Sequence, residues 1–274
     1  MFASLIRPET SVLPLLVYTS YLIFTGTFTV IALLLGWIVL LSSYGIVVIH
    51  NDIVDKDIDK ANKRSDTPLA ANLLTLKDAR RALALSIITA LLSSYLLNPL
   101  LVLWVFTYIF FGWLYSGPAL LKNRGYSALT VLAINYGVMP WLLGVISAEG
   151  ITTTSLPITL IASFIFVFGI ISLKDFKDYK GDNRYGKNTV LVKYGPQFTH
   201  YLIYVTTSLA YTLLVIGAFV NGHVILGILG IVAGSINYTL LSSKSVLSIP
   251  SSRANRGNTA RLLFFLYAVV ICFN

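Results

Sequence analysis

The sequence is poor in three things, and each shortage narrows the field. Cys272 is the only cysteine in 274 residues, so no internal disulfide can form and the redox compartment leaves no mark. Charge is sparse, at 11% of residues against 56% hydrophobic, with a mean hydropathy of +0.79. A soluble domain is about a quarter charged, so one water-facing core is not expected to hide this much apolar surface; lipid is the expected solvent. Acidic residues are rarest, 11 in all, and none lies inside a long apolar run. Also missing are a glycine-rich phosphate loop, a nucleophile elbow and a zinc-spaced Cys/His set. Residues 1–10 are few and carry Arg7 and Glu9 ahead of the apolar run, which does not read as a cleavable signal.

What is present is a series of apolar runs. A helix crosses a bilayer with about 20 mainly apolar residues. Residues 11–50 contain no Asp, Glu, Lys or Arg and hold two spans, with a break near Gly26-Thr27. Residues 82–121 hold two more, with Asn98-Pro99 as the natural turn. Residues 125–148 and 150–173 are single spans flanking Glu149, and 194–243 hold two, broken at Asn221-Gly222-His223. A ninth is reached if the last helix starts near Asn255, with Arg256 and Arg261 snorkelling to the interface. The expected fold is all-α: a polytopic membrane helix bundle of about nine transmembrane helices forming one domain over 1–274.

With nine spans, all 20 Lys and Arg fall in the N-terminus or in the loops after spans two, four, six and eight. The opposite loops carry only Glu149 and His223. This one-sidedness predicts a cytoplasmic location for the basic loops in a cell membrane. It also accounts for the net charge of +9 by topology and contact with anionic lipid headgroups, without nucleic acid.

Two of these loops are acidic as well as basic. One begins Asn51-Asp52-Ile53-Val54-Asp55-Lys56-Asp57-Ile58-Asp59, the other Lys174-Asp175-Phe176-Lys177-Asp178-Tyr179-Lys180-Gly181-Asp182. Asp52, Asp55 and Asp59 stand at i, i+3, i+7, and so do Asp175, Asp178 and Asp182. On a helix each trio falls within about 60° of one face. Each continues the end of an even-numbered span, so the chain reads as two pseudo-repeated four-helix halves, about 1–124 and 125–243, plus an extra helix at about 255–274. Parallel repeats of this kind are a known membrane architecture. Like charges at these spacings repel. A solvated loop balanced by lysines explains one such segment poorly and two even less well. Clustered carboxylates suit Mg²⁺, which is typically shared between one or two carboxylates and a substrate phosphate. A phosphate or diphosphate ester bound at the membrane surface is therefore expected.

The two aspartate segments together resemble the paired motifs of the UbiA-type intramembrane prenyltransferases. Further matches are Arg7-Pro8 before span one, Tyr115-Ser116-x-Pro118 with Lys122 after span four, and Gly186-Lys187-Asn188-Thr189 after the second segment. The resemblance covers nearly the whole chain. Departures lie after the first segment. The family commonly ends an Arg-rich stretch in Arg-Pro-Leu/Ile-Pro-Ser-Gly, whereas 63–72 keeps Arg64 and Pro68 and lacks the later Arg and the Gly. Leu121 stands where the family usually has Arg.

The resemblance implies an Mg²⁺-dependent enzyme whose donor is an allylic prenyl diphosphate. It implies Asn51, Asp55 and Asp59, with Asp52 close by, as metal ligands from the first segment, and Asp175, Asp178 and Asp182 from the second. Arg64, Lys122 and Lys187 would hold the remaining diphosphate charge. The developing carbocation calls for π faces, for which Tyr115 and Tyr179 border the motifs. His50, beside Asn51, reads either as a contact to metal or substrate or as an interfacial helix cap; His200 and His223 read as interfacial. Asn135, Tyr136 and Asn237 lie in spans, where polar side chains usually bond between helices. An aromatic acceptor, such as a hydroxybenzoate or quinone precursor, is the leading expectation, followed by a glycerol-phosphate lipid. A divalent-cation transporter is the rival of another class; it should carry carboxylates near the midplane, and none is there.

Overall fold

The computed structural model describes residues 11–61, 67–184, 186–243, 245–248 and 250–274. Among them there is no strand, only one isolated β-bridge. The helices are α1 Val12–Phe24, α2 Val30–Ala61, α3 Leu76–Leu97, α4 Leu101–Ser116, α5 Tyr126–Ala133, α6 Met139–Ser147, α7 Leu156–Ile170, α8 Asp175–Arg184, α9 Val190–Val220, α10 Val224–Ser242, α11 Ser245–Ser248 and α12 Pro250–Cys272. A π turn, Ile134–Val138, joins α5 to α6 in one continuous run, and 3-10 turns occupy Leu121–Asn123 and Ile171–Lys174. Six helical runs among the described residues are long and apolar enough to cross a membrane; α1 and α4 are shorter apolar helices. The protein is an all-helical integral membrane protein, as expected from the apolar runs.

The expected breaks fall where the backbone chemistry places them. Thr25-Gly26 ends α1, with Gly26 at φ +72°, a conformation glycine adopts freely. Asn98 closes α3 and accepts the Leu100 N–H at 3.0 Å. Asn221-Gly222-His223 separates α9 from α10. Three features differ from expectation. α3 starts at Leu76, inside the charged loop, because Thr75 and Asp78 form a capping box. α9 bends at Gly195, whose φ is +83°, just before Pro196. α12 starts at Pro250, ahead of Asn255.

The chain divides into two compact units, Met1–Leu120 with Leu142–Ile151, and Leu121–Trp141 with Thr152–Asn274. In the first, α2 packs on α1, α3 and α4. The Asn98 amide donates to the Ile146 carbonyl at 3.1 Å, and the Tyr21 hydroxyl to the Ile151 carbonyl at 2.7 Å. In the second, α7 packs on α5, α9 and α12. Gly169 allows close approach of α7 to α9: a Cβ there would lie 1.8 Å from Thr206 Oγ1, so the contact needs a small residue. The buried rings of Phe166 and Phe264 stack at 3.9 Å, and Trp141 donates to Ser163 Oγ at 3.1 Å.

Candidate functional site

In the first unit α2 carries the first aspartate segment without interruption. At about 1.5 Å per residue its 32 residues reach about 48 Å, well beyond a hydrocarbon core of about 30 Å. Its last turns therefore have to leave the bilayer, and these hold the aspartates. His50 consequently lies within the helix and not at its end. Asp52, Asp55 and Asp59 are 1%, 7% and 5% exposed, whereas Asp57, on the opposite face, is exposed. The i, i+3, i+7 spacing thus turns one carboxylate face inward. Those carboxylates also stand at a helix C-terminus, the end whose dipole disfavours anions. Burial and the dipole both raise the cost of the charge.

Two neighbours shape this face. Ser116, at the end of α4, donates to Asn51 Oδ1 at 2.7 Å, so the Tyr115-Ser116 match sits directly against the first segment. Tyr115 itself is half-buried. From residue 67 onward the chain packs against α2: Leu69 and Leu74 form a buried cluster with Ile49, Ala79 and Ala82. Asn72 holds φ +56° there. Asparagine is one of the few residues besides glycine that tolerate that conformation. Arg64 lies outside the described residues.

In the second unit the aspartates occupy α8, a polar helix that starts beyond the apolar α7 and its 3-10 turn. Asp175 and Asp178 fill its first turn, the end where the dipole favours anions. Asp175 and Asp182 are 9% and 5% exposed; Asp178 and Tyr179 are half-buried. Burial pushes the Asp175 carboxyl up to about 6; Lys174 and Lys187 pull the other way, while Asp182 and Asp178 add to the rise. Lys187 Nζ forms an ion pair with Asp182 Oδ1 at 2.9 Å. Arg124 and Asn188 form a parallel bridge, and Gly125, at φ +52°, would bring a Cβ to 3.4 Å from the Asn188 carbonyl. The loop bearing the buried Lys122 therefore runs beside the loop bearing Lys187.

The donor set is all oxygen, which suits a hard cation. Among the described residues no three His, Cys, Asp or Glu side chains converge as a closed cage. Mg²⁺ seldom uses such a cage; it keeps waters and completes its shell with phosphate oxygens. Buried carboxylates that repel one another, with the Asp175 carboxyl held high, fit a cation that arrives with an anionic substrate.

Sequence reasoning missed several contacts. Arg253 stacks over the Phe176 ring at 4.6 Å, inside the second segment, and donates to the Val246 carbonyl at 2.8 Å. Arg256 donates to Ser252 Oγ at 3.2 Å and the Leu240 carbonyl at 3.3 Å. Arg261 turns toward α7 instead of snorkelling, donating to the Ile170 carbonyl at 3.5 Å and Asn258 Oδ1 at 2.9 Å. His200 is buried, with its ring Nε2 on the Leu241 carbonyl near the end of α10. Asn237 does bond between helices, to the Ala260 carbonyl at 3.2 Å. The signal for the arginines was their spacing along a helix whose start was placed too late.

The helical bundle thus carries two inward-turned aspartate faces, Asp52, Asp55 and Asp59 on α2 and Asp175 with Asp182 on α8. The chain belongs to the UbiA prenyltransferase family, whose profile matches residues 11–270, and it is a prenyltransferase. It is 25% identical over 228 residues to the bacteriochlorophyll synthase 33 kDa chain of Cereibacter sphaeroides, covering 81% of this chain and 73% of that one. It is 27% identical over 160 residues to the digeranylgeranylglyceryl phosphate synthase of Methanocaldococcus jannaschii, covering 58% and 53%. The fold matches a UbiA homologue from Archaeoglobus fulgidus bound to DMAPP and Mg²⁺, with a TM-score of 0.77 at 17% identity over 99% and 98% of the two chains. Family membership sets the cation-transporter alternative aside.

Proposed function

We propose that the protein transfers a polyprenyl group from an allylic prenyl diphosphate, with Mg²⁺, on the cytoplasmic side of the membrane. The observation that carries this reading is the pair of inward-turned aspartate faces, Asp52, Asp55 and Asp59 on α2 and Asp175 with Asp182 on α8. Asn51, Asp52, Asp55 and Asp59, with Asp175, Asp178 and Asp182, hold the metal. Mg²⁺ supplies charge neutralisation of the diphosphate as it leaves. Lys122, Lys187 and Arg64 take up the rest of that charge. Tyr115 and Tyr179 present π faces to the allylic cation. The C1–O bond of the donor breaks with its electron pair on the diphosphate, the acceptor's nucleophilic atom bonds to C1, and the acceptor's proton is released.

Two acceptor classes came from the sequence, a hydroxybenzoate or quinone precursor and a glycerol-phosphate lipid. Similarity to a synthase whose named product is a glyceryl phosphate favours the second; the aromatic acceptor is the alternative. The test of the donor site is calorimetry with geranyl thiodiphosphate. Binding should be clear in Mg²⁺ and nearly absent in EDTA, because carboxylates and diphosphate otherwise repel. Equal affinity in EDTA would sink the metal-bridged site.

A further inference from the structure

The first turns of α3 carry an open groove of about 590 Å³, lined among the described residues by Leu76, Lys77, Arg80, Arg81 and Ala84. All three cations are exposed. Asp78, the carboxylate between them in sequence, is committed to the helix cap. Its Oδ2 accepts the Thr75 N–H at 3.2 Å and the Thr75 hydroxyl at 2.6 Å. Its contact with Arg81 is loose, at 3.7 Å, and open to solvent. Lys77 and Arg80 make no hydrogen bond or ion pair among the described residues. Other basic side chains are taken: Arg253 by the Phe176 ring, Arg256 by the Leu240 carbonyl, Lys187 by Asp182.

Helix length fixes the depth of this groove. α3 has 22 residues and the composition of a membrane span. At about 1.5 Å per residue it covers about 33 Å, close to a hydrocarbon core of about 30 Å. Its first turns therefore stand at the level of the lipid headgroups. The same face continues into the bilayer: Lys77, Arg81, Ala84, Ile88 and Leu92 fall within about 80° of one another on a helix. Leu85, Ile88 and Leu92 are 65%, 62% and 57% exposed. The opposite face, with Ala79, Ala82, Ser86 and Ala90, is buried. One uncovered strip thus runs from three cations among the headgroups to branched apolar side chains in the acyl layer.

We propose that this strip is a binding site for one anionic glycerophospholipid, with its phosphate on Lys77, Arg80 and Arg81 and its acyl chains along Leu85, Ile88 and Leu92. Guanidinium and ammonium groups form charge-assisted bonds to phosphate oxygens, and clustered cations beside a spanning helix attract anionic lipid. A zwitterionic lipid carries its own cation and offers no net charge to match. None of these side chains belongs to the proposed metal or diphosphate site, so the lipid is a resident ligand and not a substrate. It fastens the start of α3, whose Ala79 and Ala82 pack with Ile49 of α2, two residues before Asn51.

The test titrates the full chain, in a neutral maltoside detergent, with dioleoyl phosphatidylglycerol or dioleoyl phosphatidylcholine and counts bound lipid by native mass spectrometry. The wild type should hold one phosphatidylglycerol about tenfold or more tighter than phosphatidylcholine. A cation beside an anionic lipid surface is worth about fivefold, so Lys77→Gln with Arg80→Gln should weaken phosphatidylglycerol about 25-fold and leave phosphatidylcholine unchanged. Arg80→Lys keeps the charge and should bind as the wild type does. Arg184→Gln with Lys193→Gln removes two exposed cations elsewhere and should change little. All variants should melt alike in detergent alone, since the altered side chains are exposed; phosphatidylglycerol should raise Tm except in the Lys77 and Arg80 pair. Glycerol 3-phosphate in large excess should not displace the lipid, because it has no acyl chains. Equal affinity for the two lipids, an equal loss in the Arg184 and Lys193 pair, or unchanged binding in the Lys77 and Arg80 pair overturns the proposal. So does displacement by glycerol 3-phosphate, which would make the groove a site for soluble phosphate, or by geranyl thiodiphosphate, which would give it to the prenyl donor.

Discussion

Ser116→Ala tests how the first aspartate face is held. The Ser116 hydroxyl is fully buried and donates to Asn51 Oδ1 at 2.7 Å across 65 residues of sequence. Removing it costs about 1 kcal/mol of stability, as for a typical internal hydrogen bond. The effect on function should be larger and different in kind. Partners of a metal ligand typically set metal affinity by about 10- to 100-fold, or about 1.4–2.8 kcal/mol, because they fix which way the ligand faces. Turnover of Ser116→Ala should therefore need about tenfold more Mg²⁺ for half-maximal rate, while kcat at saturating Mg²⁺ stays within a few fold. Ser94→Ala is the matched control: its hydroxyl is equally buried but donates to the Leu91 carbonyl at 2.9 Å within α3. It should lower the melting temperature similarly and leave the Mg²⁺ dependence alone. An unchanged Mg²⁺ requirement in Ser116→Ala, or the same shift in Ser94→Ala, would refute the reasoning.

Asp55→Ala and Asp178→Ala should each lower prenyl transfer by about 10²-fold or more. The double variant should be far less impaired than the product of the two defects, since residues of one catalytic unit are non-additive; simple multiplication would separate the two segments. Lys187→Met, which leaves the buried Asp182 without its ion pair, should raise the donor KM about tenfold and lower the melting temperature, and an unaltered KM would remove Lys187 from the diphosphate. For topology, Glu149→Cys in intact cells should react with an impermeant maleimide, whereas Asp57→Cys and Asn183→Cys should not; the native Cys272 is buried and should stay silent. Labelling of all three from outside would invert the orientation.

The parts of this protein readable from sequence are those set over short stretches of chain. A bilayer imposes long apolar runs whatever they pack against, so the spans and their breaks at Gly26, Asn98 and Asn221 are local properties. The aspartate trios are equally local, because i, i+3, i+7 places three side chains on one helical face before any tertiary contact exists. The φ of +56° at Asn72, by contrast, could not be read from the sequence. Tertiary structure alone decided which way those faces turn and what meets them. Ser116 on Asn51, Arg124 beside Asn188 and Arg261 on Ile170 join residues separated by 64 to 91 positions. No periodicity encodes them, because they depend on the rotation and depth at which whole helices pack. The early start of α12 belongs to the same class: it begins at Pro250, more than one turn ahead of Asn255, and Arg261, read as snorkelling, meets the Ile170 carbonyl instead.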